Sequence, residues 1–458
     1  MIFLFILINL LYIYAVVRVC YTYRGNSSMT TNDFDEICKS ILAEETESLS
    51  RNGIHINCSE LCGILKQNGS RILNNCFFAQ RDEIESAVRM IPAEFTLSTA
   101  AGRIHAGREV LFSSSFRQMY ELTETDFRKR QPEDIEVQFK LCETSPVINS
   151  YSVYIKDDAE YLQTAADRLL HSASKPLTVI ELDGDNPESF STARRFFFDS
   201  GTSYDYIVSF PADLTDELTL FECSVLSECI KHRLPVIVNF GCSKINSENS
   251  RFLAKKFLAV CCITQSLSAG LPVLIGCSFD DMSESDHFEI SLLIYDLVHT
   301  YAKITGVGFA SAGLYSDTEK NDVLAGIKSQ FAAGRIISHP PQILTNACGN
   351  LLGSSIFSAE KFVLDEEVIL QTLFFNKGIE VTDENMFFED IKKTGPRGMF
   401  FNPKMLRAYK KDSYQSRFFD KKDVREYLNK EVDDNFIKYA RREVLKRLEQ
   451  YDKSAERK

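Results

Sequence analysis

The chain has 458 residues, 44% hydrophobic and 25% charged, enough for one large domain or two to three ordinary ones around a real core. Its net charge of −12 excludes broad nucleic-acid binding, which needs a basic face. Thirteen cysteines are scattered, without paired C-x-x-C motifs or a His pair at zinc-finger spacing, so they read as reduced thiols of a cytoplasmic protein with no resident metal.

The first element is "MIFLFILINLLYIYAVV", apolar from Ile2 to Val17. As a helix it covers about 24 Å, short of the ~30 Å hydrocarbon core. It lacks the basic flank and cleavage site of a signal peptide. Residues 1–28 are therefore either a misassigned start, with the working chain beginning at Met29, or a single N-terminal membrane anchor. Arg18 and Arg24 would leave the remainder of an anchored chain on the cytoplasmic side.

Residues 29–105 read as a mainly helical N-terminal region, because "DFDEICKSILAEETESL" and "RDEIESAVRMI" repeat apolar residues at three- and four-residue spacing. From residue 106 to 363, eight short apolar runs alternate with helical stretches. They are "EVLFSS", "VINSYSVY", "LTVIELDG", "YDYIVSFPA", "LPVIVNFG", "LPVLIGCSF", "ITGVGFASAG" and "PPQILTNACG", starting 27 to 38 residues apart. Eight such units predict an α/β fold, an eight-stranded parallel (β/α) barrel, and "LPVIVNFG" with "LPVLIGCSF" is an internal echo of the repeat. The runs are continuous rather than alternating, as strands covered on both faces should be. A doubly wound dinucleotide fold is the competing architecture, but no G-x-G-x-x-G follows any run.

Residues 364–458 read as helical again. Asp383 is the expected N-cap of a helix carrying Phe387, Phe388 and Ile391, broken by Gly395, Pro396 and Gly398. The last helix is acidic early and basic late, in keeping with its dipole.

This C-terminal text carries a resemblance. "FVLDEEVI", "GIEVTDENMFFEDIKKTGPRGMFF" and "RFFDKKD" resemble the C-terminal signature of the trimethylamine methyltransferase (MttB-type) family. "RNGIHINCSELCGILKQNGSRI" and "IPAEFTL" are similar to its early helices and its link into the barrel, and "GLPVLIG" to a barrel strand. The likeness runs from about residue 35 to 430. It implies transfer of a methyl group from a methylated amine to the Co(I) of a corrinoid (cobalamin) carried by a partner protein, with no cofactor bound permanently. The absence of pyrrolysine points to the branch associated with quaternary, betaine-type amines, with tertiary amines as the other class.

A quaternary nitrogen makes its methyl a usable electrophile, so the protein must mainly position and desolvate the cation. Aromatic faces are the usual means. Phe210, Phe240 and Phe279 stand at the C-terminal ends of predicted strands, where barrel sites form, with Asn239, Asp280 and Asn346 as polar candidates. No catalytic residue is assigned. Family members commonly carry His where Asn346 stands, an acid at Leu352 and glycines at Ser113–Ser115. These departures motivate the alternative of a degenerate barrel that binds a methylated amine or a protein without turnover. A homo-oligomer is compatible with either reading; a membrane-tethered scaffold would rest only on Ile2–Val17.

Overall fold

The computed structural model describes residues 31–455, apart from 100, 124–125, 156–158, 185–187, 199–203, 242–246, 279–286, 315, 379–381, 383–385, 399–401, 412 and 417–435. The leader 1–28, Phe279, Asp280, Asp383 and most of the "GIEVTDE" and "RFFD" motifs therefore lie outside the described residues. No helix among the described residues is long and apolar enough to cross a membrane.

All eight apolar runs are strands: β1 Leu111–Ser115, β2 Ser150–Tyr154, β3 Leu177–Glu181, β4 Ile207–Ala212, β5 Val236–Gly241, β6 Val273–Ser278, β7 Gly308–Ala312 and β8 Ile343–Thr345. They pair in parallel, each with its sequence neighbour, and β8 pairs with β1 through Ile343↔Leu111 to close the barrel. The helices that follow are α1 Pro132–Glu143, α2 Ala159–His171, α3 Ser189–Ala193, α4 Leu220–His232, α5 Ser247–Leu267, α6 His287–Thr305, α7 Val323–Ser338 and α8 Ala359–Lys377. Their starts carry the expected signals. Thr219 and Glu222 form a capping box on α4, Asp322 and Ser358 cap α7 and α8, and proline opens α1.

Strand side chains alternate between two cores. Val208, Phe210, Val238, Phe240 and Ile275 join the layer between strands and helices. Leu111, Val179, Ile207, Ile237, Leu274, Ala310 and Ile343 point the other way, into the lumen. There they meet Leu97 and Ala106 of an antiparallel hairpin, Phe95–Thr99 with Gly102–Ala106, which plugs the N-terminal end.

The N-terminal region holds helices Thr31–Arg51, Ser59–Gln67 and Arg81–Met90. It also holds a small sheet of Ile54–Ile56, Arg71–Leu73 and Cys76–Phe78, joined by Glu217–Leu218. Three-residue strands are too short for periodicity to reveal. A second small sheet, Tyr120–Leu122, Phe127–Lys129, Asn350–Leu351 and Ile356–Phe357, forms from the segments that follow β1 and β8. The described cysteines are all thiols, most of them buried.

Candidate active site at the barrel mouth

A barrel interior is ordinarily filled by branched apolar side chains. Here that holds only for the lowest layer. One step up, Ser113 Oγ stands 2.5 Å from Ser150 Oγ and 3.5 Å from Thr178 Oγ1, all fully buried. That contact fixes the inward parity of β1 and β2. Ser115, Ser152 and Tyr154 therefore face inward above them, while Ser114 points out to accept a hydrogen bond from Gln138 Nε2 of α1. By the same alternation Glu181 follows Val179, Ser209 follows Ile207 and Asn239 follows Ile237 into the lumen.

The upper layer is polar and enclosed. Ser115 and Ser152 are register partners on adjacent strands and fully buried, yet neither hydroxyl has a hydrogen-bond partner among the described residues. Above them the Arg117 guanidinium lies 4.0 Å from the centre of the Tyr154 ring, and its Nη1 is 3.7 Å from Glu181 Oε2. Both charged side chains are largely buried, 12% and 6% exposed.

Across the mouth, Asn239 depends on Gly276 of β6. A Cβ at Gly276 would sit 2.9 Å from Asn239 Oδ1 and 2.6 Å from Ile237 Cγ2. At the end of β8, Asn346 is buried and takes a left-handed backbone, φ 52°. Gln118 Nε2 donates to Asn350 Oδ1 at 2.6 Å and reaches Asn346 Oδ1 at 3.5 Å, while Gln118 Oε1 is buried with no hydrogen-bond partner. Gly313 lets the end of β7 cross close by, since a Cβ there would meet Asn346 O at 2.2 Å.

Of the residues expected from sequence, Asn239 and Asn346 therefore stand at the mouth. Phe210 and Phe240 do not. Both are buried in the layer between strands and helices, one register step away from the inward face, and offer no ring to the lumen. The aromatic side chain placed there is Tyr154, at the end of "SYSVY". Glu181 was the stronger missed signal, a carboxylate inside the apolar run "LTVIE". His339 lies just before β8, at the opposite end, packed 4.7 Å from the ring of His299. Leu352 also takes positive φ, 43°, and belongs to a small apolar cluster with Leu351 and Ile356.

Burial of the lumen shapes the neighbouring small sheet. The Glu121 carboxyl is pushed up to about 8 by desolvation, which Arg130 only partly offsets. Their Oε2 and Nε atoms stand 3.1 Å apart without hydrogen-bond alignment.

The C-terminal signature has a structural meaning here. Asp365 is held by Lys361 Nζ at 2.7 Å and accepts a hydrogen bond from Gly349 N, fixing the turn beyond Asn346. Glu366 accepts from Arg447 Nη1 at 3.0 Å, tying α8 to the last helix, Phe436–Ala455.

The family model described as trimethylamine methyltransferase (MTTB) matches residues 258–455. An L-carnitine:corrinoid methyltransferase from Eubacterium limosum is 24% identical over 449 residues, covering 88% of this chain and 90% of that one. A proline betaine:corrinoid methyltransferase from the same organism is 23% identical over 453 residues, covering 87% and 91%. The chain is a divergent member of the trimethylamine methyltransferase family. A further relative, the glycine betaine methyltransferase of Desulfitobacterium hafniense (strain Y51), is 27% identical over 171 residues, 36% of each chain. Among solved structures, the monomethylamine methyltransferase (MtmB) of Methanosarcina barkeri is 11% identical with a TM-score of 0.48, covering 94% of this chain and 92% of that one. The trimethylamine methyltransferase family is thus represented here by a methyltransferase barrel whose lumen turns polar toward its C-terminal mouth.

Proposed function

We propose that this protein takes a methyl group from a small quaternary amine and delivers it to the Co(I) of a corrinoid carried by a separate protein. The observation that carries the reading is the polar upper lumen. It has two buried hydroxyls without partners, an amide held by Gly276, and one buried charge of each sign, at the end of the barrel where sites form. Such unsatisfied donors in an enclosed space fit a small polar ligand, because leaving them dry costs free energy. The named activities of the two relatives that span most of the chain, on carnitine and on proline betaine, support the same class.

The chemistry asks little acid–base work of the protein. The methyl carbon leaves nitrogen, the bonding pair stays on nitrogen, and a neutral tertiary amine departs with no proton gained or lost. Reduced cobalt supplies the nucleophile. This chain's residues have to orient the ammonium, exclude water and leave one methyl facing the mouth. Asn346, an amide that does not titrate, suits that role where a proton shuttle would be superfluous. A tertiary amine needs activation before it can leave, so we place it second. The thiol-rich composition places the reaction in the cytoplasm.

The test is an anaerobic mixture of the full chain with chemically reduced cobalamin, or a cognate corrinoid protein, to which quaternary amines are added singly. Conversion of the Co(I) spectrum to that of the methylated corrinoid is expected with at least one of them. No conversion with either acceptor would favour a barrel that binds without turnover.

A further inference from the structure

The pair Arg117 and Glu181 is more than a charged ornament of the lumen. Their 3.7 Å contact is an opposed pair in an enclosed site, and the guanidinium is braced against Tyr154 rather than extended to solvent. Directly beneath lie the Ser115 and Ser152 hydroxyls, buried and without hydrogen-bond partners. Adjacent strands stand about 4.8 Å apart, so the two hydroxyls flank one small group between them. Hydroxyls beside a guanidinium are donors converging on an anion, and a planar guanidinium matches a carboxylate in particular. We infer that Arg117, with Ser115 and Ser152, binds the carboxylate of a zwitterionic quaternary amine, while Glu181 faces its ammonium. This assignment rests on the function proposed above and names the residues that choose its substrate.

The charge arithmetic favours a zwitterion. One buried cation and one buried anion already balance, so a ligand carrying one charge of each sign enters without leaving a net charge out of water. A purely cationic amine would draw Glu181 away from Arg117 and leave the guanidinium unmatched, which is costly in a buried site. A charge-assisted hydrogen bond contributes about 1.5–3 kcal/mol. Loss of the carboxylate should therefore weaken binding by at least about tenfold.

Isothermal titration of the full chain with glycine betaine, proline betaine, carnitine and choline tests this, choline replacing the carboxylate of glycine betaine by a hydroxymethyl group. The expected result is that at least one betaine binds at least about tenfold more tightly than choline. Arg117→Gln should erase that gap with choline affinity unchanged, and Arg117→Lys should restore part of it. If Arg117→Gln fails to fold by circular dichroism, Ser115→Ala/Ser152→Ala decides, with loss expected for the betaine alone. Choline binding as tightly as the best betaine, a gap that survives Arg117→Gln, or the double serine variant binding the betaine unchanged would overturn the assignment. So would a failure of all three betaines to bind. Carboxylate-dependent binding without methyl transfer to cobalt would leave the assignment standing and remove the proposed function. Methyl transfer from choline with no carboxylate preference would do the opposite.

Discussion

At the residue scale, one register step separates a site residue from a core residue. Phe240 and Asn239 are neighbours in "VIVNFG", yet Asn239 faces the lumen and Phe240 is fully buried against the helices. Because these runs are apolar throughout, the sequence marks where a strand lies and withholds which face is inside. Phe240→Ala is accordingly expected to behave as a core cavity. It should destabilise the fold by about 3–5 kcal/mol in denaturant titration and leave the KM for the methyl donor unchanged in the folded protein. A raised KM at unchanged stability would return Phe240 to the mouth. Glu121 supplies a second residue-scale expectation. Its carboxyl titrates near 8 when folded and near 4.5 as the ordinary group. Between those values the folded state keeps a proton that the unfolded state has lost, so this residue makes stability fall as pH rises. The slope is at most about 1.4 kcal/mol per pH unit. Glu121→Gln should flatten the stability profile from about pH 4.5 to 8, as measured by melting across pH. Identical profiles would contradict the buried carboxylate.

At the scale of elements, the strands were legible because Val- and Ile-rich runs recur at a βα spacing, and their order followed from right-handed connection alone. The two small sheets and the plugging hairpin were not legible. Three-residue strands show no period, and the hairpin's partners lie far along the chain. The acidic signature on α8 was recognisable by resemblance, but its role appears only in three dimensions, as Asp365 meets Lys361 and Glu366 meets Arg447 across 81 residues. Removing one member of a buried pair strands the other. Arg447→Ala should therefore cost about 3–5 kcal/mol and raise amide exchange along Phe436–Ala455 well above that of the barrel strands. Unchanged exchange in that helix would mean that its apolar contacts, not the ion pair, hold it.

At the scale of the molecule, the barrel separates two tasks along one axis. The N-terminal end is sealed by Leu97 and Ala106 against the lowest ring of aliphatic side chains, so solvent and ligand have only the other end. Toward that end the lumen passes from hydroxyls that satisfy one another, Ser113 with Ser150, to hydroxyls that do not, Ser115 and Ser152. The serine run "FSSSF" was visible in the sequence as a departure from the family's glycines. Only the closed barrel shows that two of its three hydroxyls turn inward beside Arg117. A small charged ligand held there presents its outer methyl to whatever docks over the mouth, which is the geometry a methyl acceptor on a second protein requires.

The account stands on the amine sitting inside the barrel, and a crystal structure of the full chain with a betaine that it demethylates tests that most directly. The ligand is predicted between Glu181 and Arg117, its carboxylate within hydrogen-bond distance of Ser115 or Ser152 and a methyl toward the mouth. Density for the betaine outside the lumen, for instance in the hollow of about 550 Å³ lined by Thr123, Asp322 and Arg441, would contradict it.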